Sequence, residues 1–220
     1  MRFTRPLATA VLLTLAAAPA ISTSARAEIL FTSELTTSQQ VPPVVAPTTV
    51  LGTPRPTSFG TGSLVLNDAQ TALTMSVTIN NIDVTGSQTA DVNDNLTLAH
   101  IHAPAPPGAN APVVWGFFGA PLNDLIAPTL TVTPFASGVG GVFTSVWNQP
   151  EGNDGTNLTA QVPNLLAGLA YLNFHTVQFP GGEIRGQILP VSVPEPASLA
   201  LFGTALLGLG MVRRNRRNKA

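Results

Sequence analysis

Histidine is scarce in this 220-residue chain, and its three copies fall in two short segments. His100 and His102 stand in Leu98-Ala99-His100-Ile101-His102-Ala103, and His175 stands in Asn173-Phe174-His175-Thr176. If the first segment is a strand, alternation puts His100 and His102 on one face, roughly 6.5 to 7 Å apart at Cα. Two imidazoles so placed can reach one ion at about 2.0 to 2.1 Å, and His175 on a neighbouring strand would complete a three-nitrogen site with an open position. Copper or zinc would be the ion, with Asp91, Asp94 or Glu183 as a fourth ligand or as partners behind the rings. The same residues can equally be hydrogen-bonded histidines at a sheet edge. In that reading Leu96 and Leu98, which share their parity, point to the core, and Pro104, Pro106 and Pro107 pack the rim. Titration with copper or zinc separates the two.

A second constellation is Gly182-Glu183-Ile184-Arg185-Gly186-Gln187. On a strand Glu183 and Arg185 share a face and lie close enough for an ion pair. A guanidinium in an acidic body needs several carboxylate or carbonyl oxygens around it, so this reads as an ordered corner of a sheet. Other chemistry is missing. With zero cysteines there is no disulfide framework, thiolate site or cysteine nucleophile. No Gly-rich phosphate loop and no Gly-x-Ser-x-Gly elbow is present, so no catalytic residue is assigned. Between Glu28 and Ser192 only Arg55 and Arg185 oppose ten acids, a net charge of −8 that disfavours nucleic acid as a partner.

The elements that must carry these residues read as strands. Leu73, Met75, Val77 and Ile79 alternate with Thr74, Ser76 and Thr78, and Ile184 and Ile188 lie opposite Glu183, Arg185 and Gln187. Strands are predicted over 29–35, 62–66, 73–79, 96–102, 113–118, 141–148, 169–176 and 183–189, with a hairpin turn at Asn67-Asp68-Ala69-Gln70. No stretch keeps helical spacing beyond about two turns, Leu165 to Leu169 being the best. The expectation is an all-β antiparallel sandwich of about eight strands, with a closed barrel as the alternative. Residues 41–59 and 119–140 are long links rich in Pro, Thr or Gly.

The two ends carry addresses. Arg2 and Arg5, a short apolar run from Leu7 to Ala18 and Ala25-Arg26-Ala27 predict a signal peptide over residues 1–27, cut by signal peptidase. The domain then spans 28–190. Residues 191–196 form a linker that ends in Pro194-Glu195-Pro196. An apolar stretch follows over 197–212, expected as a short transmembrane helix, and then a basic end over 213–220 with Arg213, Arg214, Arg216, Arg217 and Lys219. Sixteen residues reach roughly 24 Å, slightly short of a hydrocarbon core.

This order of Pro-Glu-Pro, apolar helix and arginine-rich end resembles the PEP-CTERM sorting signal. The resemblance implies a Gram-negative bacterium and an exosortase, a membrane protease-transpeptidase that removes the tail. The product would be left in the outer envelope or extracellular matrix after transient anchoring in the inner membrane. The middle resembles a CHRD domain, through Leu35 to Pro43, Gly60 to Asn67, His100-Ile101-His102 with its Pro/Gly loop, and Ala167 to Gln187. That family implies an immunoglobulin-like sandwich in an extracellular setting and no settled activity. The His-x-His motif also looks like the metal-binding strand of copper/zinc superoxide dismutase, without that enzyme's fuller ligand set. The leading expectation is a non-catalytic surface or matrix protein that binds protein, polysaccharide or an ion. The alternative is a copper or zinc domain, redox or ion-handling, centred on His100, His102 and His175.

Overall fold

The computed structural model describes residues 27–191, and strand alternation organises nearly all of them. The strands are β1 (Ile29–Thr36), β2 (Phe59–Leu66), β3 (Ala72–Asn80), β4 (Leu96–His102), β5 (Val113–Phe118), β6 (Thr131–Pro134), β7 (Gly140–Asn148), β8 (Ala170–Thr176) and β9 (Ile184–Pro190). In β3 the side chains of Leu73, Met75, Val77 and Ile79 are buried, while Thr74 and Ser76 face water. Period two therefore sorts apolar from polar directly onto two faces.

All nine strands join one sheet in the order β5-β4-β8-β9-β1-β2-β3-β7-β6, and every neighbouring pair is antiparallel. The all-β class is as expected. The expected immunoglobulin-like division into two sheets is not seen among the described residues, where hydrogen bonding runs unbroken from β5 to β6. The sheet instead curls as a half-barrel until its ends face each other. Trp115 on β5 stacks on Trp147 of β7 with centroids 5.4 Å apart and planes 7° apart, although six strands separate β5 from β7 in the sheet. Phe174 of β8 meets both Phe117 and Phe143 edge-on across the same interior. Aromatic rings are wide enough to fill the span between the two halves of the curl, which gives a sandwich-like core without two sheets.

Two elements escape the sequence reading. β6 lies inside the long link 119–140 and adds an edge to β7, with Val132 opposite Phe143. Helix α1 (Leu158–Leu166) packs Leu158, Val162 and Leu165 inward at helical spacing. Its N-cap is Asn157, whose side chain accepts from the Ala160 N–H at 3.0 Å. Nine residues with Pro163 inside carry too little periodic signal to announce a helix.

The predicted signal peptide, Pro194, Glu195, Pro196, the apolar stretch 197–212 and Arg213, Arg214, Arg216 and Arg217 lie outside the described residues. Among the described residues no helix is long and apolar enough to cross a membrane.

Candidate metal centre

β8 lies between β4 and β9, and this three-stranded part of the sheet is covered on both faces. Ala99, Ile101, Leu172, Phe174, Ile184 and Ile188 line the core side. The opposite face carries His100 and His102 from β4, Tyr171, Asn173 and His175 from β8, and Arg185 and Gln187 from β9. Register joins them in rows: His102 stands opposite Tyr171 and Tyr171 opposite Gln187, while His100 stands opposite Asn173 and Asn173 opposite Arg185. The strand therefore turns Ala99 and Ile101 to the core. Leu96, before a register shift, packs against that core while half-buried, and Leu98 is half-buried without joining it. The whole polar row is nonetheless buried, because loops fold over it.

Those loops fix the histidines. His100 Nε2 meets the Ala120 carbonyl at 3.1 Å, His102 Nδ1 meets that of Ala111 at 2.9 Å, and His175 Nδ1 meets that of Pro180 at 2.9 Å. A carbonyl oxygen only accepts, so each of these nitrogens must carry the hydrogen. The tautomers follow: the lone pairs are on His100 Nδ1, His102 Nε2 and His175 Nε2. These three nitrogens have no hydrogen-bond partner and are closed to solvent. One ring nitrogen from each residue lies within 4.8 Å of the others. Ring centroids are 5.7 Å apart for His100 and His102, 5.1 Å for His100 and His175, and 6.3 Å for His102 and His175. A three-nitrogen set around an ion needs separations of about 3.5 Å, closer than the 4.8 Å bound seen here.

Electrostatics keep the rings neutral. Burial pushes His100 down to about 4, helped by His175 and His102 and opposed by the Ala120 carbonyl. Burial likewise pushes His102 to about 4, against the Ala111 carbonyl and with help from His175 and Arg185. His175 is lowered for the same first reason. At neutral pH all three lone pairs are free of protons, the state in which imidazole binds a metal.

Close packing makes the carbonyl contacts possible. A Cβ on Gly116 would fall 1.8 Å from the Pro121 carbonyl oxygen and 3.2 Å from His100 Cδ2, so only glycine lets the 119–121 turn close over His100. His102 also stacks on Tyr171, with centroids 4.8 Å apart and planes at 3°. Arg185 approaches the same ring from β9, its guanidinium carbon 3.5 Å from the centroid.

The carboxylates expected behind the histidines are elsewhere, and this is a correction. Carbonyls take that place because the loops that cross the face bring main chain to it. Asp91 and Asp94 serve the 83–95 loop, where Asp91 accepts from the Val50 and Asn93 N–H groups and Asp94 from Thr89. Glu183 is fully buried and does not pair with Arg185. It bonds Arg55 at 2.6 Å, Thr176 at 2.6 Å and Ser58. Arg185 instead donates to the carbonyls of Ala109 and Pro106 and to the side-chain oxygens of Asn110 and Gln187. Glu183 lies in the turn before β9, outside the strand, so alternation does not hold it on the face of Arg185 and its side chain meets the 41–59 link instead. Arg55 was missed as its partner, although the domain has only one other basic residue to offer.

The CHRD domain matches residues 31–188, and the PEP-CTERM protein-sorting motif matches residues 192–217. No curated protein and no solved structure matches the chain. The sorting motif implies processing by exosortase at the membrane and an exported, envelope-associated protein of a Gram-negative bacterium.

Proposed function

The chain belongs to the CHRD domain family, and from that premise we propose that it is an exported metal-binding domain that holds one copper or zinc ion with His100, His102 and His175. A single observation carries the reading. Three buried imidazoles each spend one nitrogen on a backbone carbonyl and leave the other unpartnered, and the three rings converge. A buried polar atom without a partner is costly, and three in one place are explained at once by a shared ion. Nothing in the site supplies a nucleophile or an acid–base pair, so binding is proposed and catalysis is not.

Signal peptidase would free the N-terminus and exosortase the C-terminus, leaving the domain in the outer envelope or matrix beside polysaccharide. Isothermal titration of the full-length chain in detergent with copper and with zinc tests the site. The expected result is one ion per chain at neutral pH, lost in His100→Ala and His102→Ala variants that keep the wild-type circular dichroism. No heat above buffer controls for either ion would overturn the proposal.

A further inference from the structure

The donor set restricts which ion fits, and this step rests on the metal-site reading above. The metal-competent group consists of three histidines and contains no carboxylate. The charge that stands nearest along the polar row is positive: Arg185 lies 3.5 Å from the ring on which His102 stacks. Among the described residues Arg185 makes no ion pair, since the one ion pair there joins Arg55 to Glu183. An entering ion thus meets neutral ligands and a neighbouring cation. The cost of burying an ion rises with the square of its charge, so a divalent ion is penalised about four times as heavily as a monovalent one.

Coordination number points the same way. Zinc in a three-histidine site takes a fourth ligand, usually water or an anion. Here the three free nitrogens are closed to solvent, with Ala111, Ala120 and Pro180 holding the loops down over them. A filled-shell monovalent ion that is content with three nitrogens needs no such entry.

We infer that the centre is built for Cu(I), held by three imidazole nitrogens alone and preferred over Zn(II) and Cu(II). It would act as a closed holder of monovalent copper. A centre that turns over an exogenous ligand would need solvent access, and the three free nitrogens are closed to solvent.

The test is anaerobic competition of the full-length chain in detergent against bicinchoninate for Cu(I) and against a chromophoric chelator for Zn(II). It is joined to copper K-edge absorption and a mediated redox titration of the copper-loaded protein. Expected are one Cu(I) per chain, bound about a thousandfold more tightly than Zn(II). Three nitrogen scatterers without a fourth light atom, and a potential above that of the aqueous copper couple, complete the expectation. Zn(II) bound as tightly as Cu(I), a fourth scatterer, or a potential below the aqueous couple overturns the monovalent assignment and leaves the metal site standing. Failure of copper and zinc alike to bind overturns both.

Discussion

Two buried polar clusters stand near the β8–β9 part of this sheet, and they are finished to different degrees. Around Glu183 both carboxylate oxygens are matched: Oε2 by Arg55 and Thr176, Oε1 by Ser58. Around His100, His102 and His175 half of the ring nitrogens are matched and half are not. The matched carboxylate ties elements together, here the 41–59 link to the β8–β9 turn, and only the Arg55 Nε is left without a partner there. The half-satisfied one is the metal site proposed above. The contrast separates structure from function more sharply than burial does, since both clusters are buried.

The largest effect that would sharpen the contrast is on the satisfied cluster. Glu183→Ala leaves Arg55 buried without its partner and is expected to lower stability by about 3–5 kcal/mol in urea denaturation. A loss under about 1 kcal/mol would break the comparison. Next comes the gain from the metal. A hundredfold excess over Kd should stabilise the wild type by about 2.7 kcal/mol. His175→Ala should gain nothing, read as the shift of the melting curve on copper addition. Arg185→Ala strips the cation from four oxygen acceptors and should cost about 2 kcal/mol by the same denaturation. Wild-type stability would return the residue to a peripheral role.

The smallest effect is on pH. The fold holds the histidines below the ordinary value of about 6.5, so the unfolded chain binds protons that the native one refuses. Stability of the metal-free protein is therefore fully present above about pH 6.5 and is lost as pH falls towards 4. Asp94 and Asp124, both raised, act in the opposite sense at lower pH. The difference between wild type and His102→Gln isolates the histidine share. Parallel melting temperatures from pH 7 to 4.5 would contradict neutral, buried rings.

How much of this was readable beforehand follows from the range of each interaction. Alternation is local, so the faces of Leu73 to Ile79 and of Ile184 to Ile188, and the shared face of His100 and His102, were plain in the chain. Strand neighbours are not local. That β8 lies beside β4 and brings His175 to the pair was a condition in the sequence and is a fact of register in the fold. Main-chain acceptors leave no trace in residue identity, so Ala111, Ala120 and Pro180 could not be named, and the carboxylates Asp91, Asp94 and Glu183 were named in their place. The curl of one sheet was also invisible, because an interior-facing Trp or Phe is the same residue whether it packs against a second sheet or against the far end of its own.

The central claim is that the three converging nitrogens hold an ion, and elemental analysis tests it most directly. The full-length chain would be dialysed to equilibrium against copper and zinc at neutral pH, beside His100→Ala and His175→Ala. One equivalent of metal retained by the wild type and none by the variants is the predicted result. Less than a tenth of an equivalent in the wild type, or equal retention in all three, would contradict it.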